Sequence, residues 1–78
     1  MDLDEAVRRL RAAQAALPRA QARADRIVAE AREKVDEARA ELAAAIVEAA
    51  DAGVRQRDIV AITGYSRERV RQIVRGER

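Results

Sequence analysis

The sequence predicts an all-α protein: a long N-terminal coiled-coil helix, kinked or broken near Pro18, followed by two short helices joined by a tight turn. Three observations predict it. Ala, Arg and Glu abound while Gly (3) and Pro (1) are scarce, which is helix composition. The large aliphatics of the first half recur every seven residues. The second half is punctuated by Gly53, Gly64 and Gly76 between short apolar-periodic stretches.

The first helix is justified by its stripe. Leu3, Leu10, Leu17, Ala24, Ala31, Ala38 and Ala45 form one seam, and Val7, Gln14, Gln21, Val28, Val35 and Leu42 the other. Seven of the eight larger aliphatics before residue 46 fall on these seams, all but Ile27. Chance would place about two in seven there. The dimer seam therefore comprises Leu3, Val7, Leu10, Leu17, Val28, Val35 and Leu42. Gln14 and Gln21 read as polar seam residues that fix register. So long a stripe exceeds what a small C-terminal domain can cover, which favours packing between copies over packing within one. Pro18 removes a helix hydrogen bond and crowds the Gln14 carbonyl, yet the heptad register runs through it unbroken.

After residue 45 the pattern changes, and the chain divides into a coiled-coil helix over 1–45 and a second domain over 46–78. Ile46, Ala49 and Ala50 start a new face, and Gly53 stops the helix with Val54 as its apolar follower. A short helix is expected over Gln56–Thr63, then a turn at Gly64-Tyr65-Ser66. Ser66 is the N-cap of a last helix from Arg67 to about Arg75, with Glu68 in its first turn and Gly76 as its stop. Val70, Ile73 and Val74 form its inner face. Two such helices with a glycine turn between them have helix-turn-helix spacing.

The stretch Gln56-Arg-Asp-Ile-Val-Ala-Ile-Thr-Gly-Tyr-Ser-Arg-Glu-Arg-Val-Arg-Gln-Ile73 resembles the helix-turn-helix of bacterial and phage repressors. Its second half is similar to the promoter-recognition helix of primary sigma factors. The resemblance covers about a quarter of the chain and rests on the Gly-x-Ser turn with Ile59, Tyr65, Val70 and Ile73 at fixed offsets. It implies a DNA-binding domain whose Arg67, Glu68, Arg71 and Gln72 contact bases in the major groove. Arg suits guanine, Gln adenine, and Glu the cytosine amino group. Phosphate contacts would come from Arg55, Gln56, Arg57, Ser66, Arg69 and Arg75. The wheel independently turns Glu68, Arg71, Gln72 and Arg75 outward. The sequence departs from the pattern at Val60 (usually Ala or Gly), at Thr63 (usually apolar) and at Arg55 (usually a capping Ser or Thr).

Charge agrees with that reading. Residues 1–50 carry nine basic and ten acidic side chains; residues 51–78 carry seven Arg and four acids. The basic excess lies wholly in the last third, as a polyanion-binding head would have it. With no Cys and no His, disulfides, thiolate chemistry, common zinc sites and His-based acid–base catalysis are excluded. No enzyme, cofactor, metal or small-molecule ligand is expected. The acidic start lacks signal-peptide order, and the longest aliphatic run, Leu42–Val47, is too short to span a bilayer. A cytoplasmic, nucleoid-associated protein is the expectation. Tyr65 reads as a plug at the turn, and acid pairs such as Asp36–Glu37 as solvated surface.

The function expected is that of a small homodimeric regulator of transcription, of phage or mobile-element type, with double-stranded DNA and itself as partners and no membrane. The alternatives are an architectural or partition-type protein that bridges DNA, or an adaptor that binds RNA polymerase. Packing favours an antiparallel pair, which faces Leu3 with Leu42, Leu10 with Val35 and Leu17 with Val28. A parallel pair would stack alanine on alanine at residues 24, 31, 38 and 45.

Overall fold

The computed structural model describes residues 1–77, with side-chain surroundings through residue 76. It holds three helices: α1 (Leu3–Asp51), α2 (Gln56–Thr63) and α3 (Arg67–Glu77). No helix among the described residues is long and apolar enough to cross a membrane.

α1 begins because Asp2 caps it. The Asp2 carboxylate accepts the Glu5 N–H at 2.7 Å, and Asp4 and Glu5 put negative charge at the positive end of the helix dipole. The helix then runs through Pro18 without interruption, so the break that proline allowed does not occur. Proline has no N–H to offer the Gln14 carbonyl, but both residues are exposed and water can serve that oxygen. α1 ends on glycine chemistry. Gly53 takes φ +91°, and the N–H groups of Gly53 and Val54 fold back onto the carbonyls of Ala50 (3.1 Å) and Ala49 (2.9 Å).

α2 starts at Arg55, whose extended backbone presents its carbonyl to the N–H groups of Asp58 and Ile59. The Arg55 side chain makes no capping bond; Asp58 in the first turn compensates through the dipole. Gly64 closes α2 at φ +75° with its N–H on the Val60 carbonyl. Thr63 fits where an apolar residue was expected because its hydroxyl donates to the Ile59 carbonyl (2.8 Å) and accepts the Tyr65 N–H (3.1 Å). Ser66 then caps α3: its Oγ accepts the Arg69 N–H at 3.0 Å and its carbonyl the Val70 N–H at 3.0 Å. Gly76, expected as a stop, lies inside α3. A glycine ends a helix by turning left-handed, and among the described residues only Gly53 and Gly64 do so.

The chain divides by its contacts into two units, one ending at Lys34 and one beginning at Val35. In the first, Leu3, Val7, Leu10, Leu17, Ile27 and Val28 all stand exposed on α1. In the second, one residue from each helix meets at the centre: Ile46, Ile59 and Val70 are the buried core. Leu42, Ala49, Ala50, Val60, Tyr65, Ile73 and Val74 pack around it, half-buried. Leu42 thus has two claims on it, since its heptad position assigns it to a seam and the structure packs it against this core. Each fully buried aliphatic contributes about 1.5–3 kcal/mol.

Two substitutions separate core from turn. Val70→Asp places an unpaired carboxylate at a site 1% exposed, and the second unit should lose its cooperative thermal transition by circular dichroism. An unchanged transition would put Val70 on the surface. Gly64→Ala meets no atom within 4 Å of the new Cβ, so its expected loss is the backbone cost alone, about 1–2 kcal/mol.

Candidate nucleic-acid interface

The site is built from α3 and the ends of α2. Apolar residues at 70, 73 and 74 seat α3 on the core, Val70 deepest. At 3.6 residues per turn the remaining positions must face away. Arg67, Glu68, Arg71, Gln72 and Arg75 are accordingly all exposed. The same geometry holds Arg69 exposed beside the turn, its guanidinium 5.6 Å from the centroid of the Tyr65 ring. Tyr65 is half-buried against the core, so the ring both plugs the turn and offers Arg69 a cation–π platform.

Three of the outward residues form a local cluster. Glu68 pairs with the Arg71 guanidinium, and its other carboxylate oxygen accepts from Gln72 Nε2 at 3.4 Å. Spacings of three and four residues put these groups on neighbouring turns. In water such an exposed pair is worth only tenths of a kcal/mol. Its effect is therefore on where Arg71 and Gln72 point rather than on stability.

Gln56, the first residue of α2, donates from Nε2 to the Arg67 carbonyl at 2.9 Å. It ties the start of α2 to the start of α3 while its side-chain oxygen stays available. Arg55 and Arg57 are exposed on the same end of α2, and Arg57 lies 3.9 Å from the Asp58 carboxylate. Ser66 is exposed with its Oγ lone pair on the Arg69 N–H, leaving its hydroxyl proton free to donate elsewhere. The second unit thus gathers Arg55, Gln56, Arg57 and Ser66 at the helix ends and Arg67, Glu68, Arg71, Gln72 and Arg75 along α3.

Beside α3 an open groove of about 420 Å³ runs over Ala50, Val54, Ile59, Val70 and Val74, with Arg71 and Arg75 on its bank. Its floor is apolar, and the cationic groups sit at its rim.

Sequence reasoning placed the outward face of α3 but missed the Gln56–Arg67 tie, the Glu68 cluster and the Arg69–Tyr65 stack. The last two were readable from spacings of three and four residues. The first spans eleven residues and needs the turn geometry. The cap gives a direct test: Ser66→Ala should cost about 1 kcal/mol, which in a domain of this size lowers Tm by roughly 4–8 °C. A Tm unchanged within error would mean the Ser66 hydroxyl does not hold the first turn of α3. Comparison with protein-family models, with curated proteins and with solved structures finds no match to this chain.

Proposed function

We propose that the protein is a small homodimeric, sequence-specific DNA-binding protein that regulates transcription, with α3 as the helix that enters the major groove. The observation that carries this is the division of α3: an apolar face anchored by Val70, and an opposite face bearing Arg67, Glu68, Arg71, Gln72 and Arg75. A helix held by a rigid neighbour and presenting Arg, Gln and Glu has the donors and acceptors needed to distinguish base pairs. The start of α2 supplies the second element of the reading. Its first amides receive no side-chain cap, and Arg55 and Arg57 flank them, which favours a phosphate at that point. The +3 balance of residues 51–78, seven Arg against four acids, supports the same polarity.

Dimerisation follows from the first unit. Leu3, Leu10 and Leu17 on one heptad seam and Val28 on the other remain exposed. A second copy laid along that stripe would remove them from water, and two linked heads would read two half-sites.

Selection of bound sequences from a random DNA pool tests the reading directly. A discrete enriched motif is the expected outcome; uniform recovery, or coating of long DNA without a motif, would overturn sequence-specific regulation. Arg71→Ala or Gln72→Ala should relax preference at one base position and cost about 1–3 kcal/mol on the selected site. Arg55→Ala or Arg57→Ala should weaken every sequence alike and flatten the log–log salt slope by about one unit per lost phosphate contact. If the Arg71 and Gln72 variants keep the parent's preferences, α3 is not the reader.

A further inference from the structure

Between residues 67 and 75 of α3, Glu68 is the only acid, among Arg67, Arg69, Arg71 and Arg75. A carboxylate on a face turned towards a polyanion is repelled by it, so Glu68 by its charge lowers affinity for any DNA. Its contacts indicate a compensating role. One oxygen pairs with the Arg71 guanidinium, and the other accepts from Gln72 Nε2 at 3.4 Å. The cytosine contact that the resemblance implies for Glu68 would have to compete with both. The two partners keep what base reading needs. Arg71 engages one Nη and retains its other N–H groups, enough for a bidentate guanine contact. Gln72 gives one Nε2 hydrogen to Glu68, and its Oε1 and second Nε2 hydrogen remain for an adenine edge. Among the described residues, the side chains of Arg67 and Arg75 have no acid partner.

We propose that Glu68 is a positioning residue: it holds Arg71 and Gln72 in one arrangement for base reading and does not itself read a base. This role rests on the DNA reading proposed above and narrows it. A long side chain already ordered when it meets DNA loses less freedom on binding. The same pairing offsets the charge of Arg71, which is then drawn less to phosphates at large. Glu68 thus lowers affinity for DNA in general and raises discrimination between sequences.

Glu68 is exposed and takes no part in the Ser66 cap, so Glu68→Ala leaves α3 in place. NMR relaxation of the arginine Nε–H groups in the free, full chain should find Arg71 more ordered than Arg67 and Arg75, and Glu68→Ala should abolish the difference. Equal mobility of the three in the parent overturns the proposal whatever the protein binds. Random-pool selection is then run on the parent, on Glu68→Ala, Arg71→Ala and Gln72→Ala, and on Glu68→Ala combined with Arg71→Ala. Glu68→Ala should lose discrimination of about fivefold or more at the base pairs that the Arg71 and Gln72 variants identify. Its affinity for random DNA should rise, with a log–log salt slope steeper by about one unit as the released Arg71 finds a phosphate. In the Arg71→Ala background, Glu68→Ala should change nothing further at the base pair of Arg71. Loss of preference only at a separate base pair would make Glu68 a reader, and an unchanged profile would make it inert surface; either overturns the proposal while the DNA reading stands. A parent that enriches no motif overturns the DNA reading, and this role with it.

Discussion

Ile46, Ile59 and Val70 come from three different helices and meet as the only fully buried hydrophobic side chains among the described residues. Everything the second unit can do depends on that meeting. It fixes the crossing of α2 and α3, and through Val70 it fixes which face of α3 is turned out. Among the described residues no polar side chain is buried with them, so no side-chain hydrogen bond lies within the core itself. Shape governs the packing there, and β-branched Ile and Val are suited to this because their χ1 angles are restricted and little entropy is lost when they are fixed.

So small a core cannot also set where each helix begins and ends, and local chemistry takes over that task. Asp2 and Ser66 satisfy amides at the starts of α1 and α3, and Gly53 and Gly64 return the chain at the ends of α1 and α2. Thr63 links the end of α2 to the turn by accepting the next N–H while donating to Ile59. Gln56 closes the arrangement by reaching across to the Arg67 carbonyl. The outward residues of α3 are thus positioned largely by bonds that other side chains make, and they remain exposed and polar.

Legibility tracked the range of each interaction. α2 could be read from Gly53 and Gly64, and the start of α3 from Ser66, because a cap or a left-handed glycine acts within a few residues. The face of α3 followed from the spacing of Val70, Ile73 and Val74. Gly76 misled because composition marks where a helix can stop, whereas its backbone conformation decides whether it does. Pro18 was ambiguous for a related reason. The cost of a missing hydrogen bond depends on whether water reaches the freed carbonyl, and exposure is not written in the local sequence. Leu42 was ambiguous in another way: heptad spacing and core packing ask for the same apolar residue at the same place. The Gln56–Arg67 bond could not be read at all, since it exists only once the turn has brought two helix starts together.

The ambiguity of Leu42 has a structural meaning. A residue that is both a seam position and part of the periphery of the core joins two surfaces that would otherwise be separate. Around it, Ala45 and Ala49 keep the α1 side of an apolar groove low, and Ile62 rises on the α2 side, so the end of the seam is a notch rather than a flat stripe. Alanine there is not merely helix-favouring filler. With alanine there the apolar surface of the groove stays open. In the proposed homodimer, whatever apolar seam surface pairing removes from water couples the stability of the chain by mass action to its concentration.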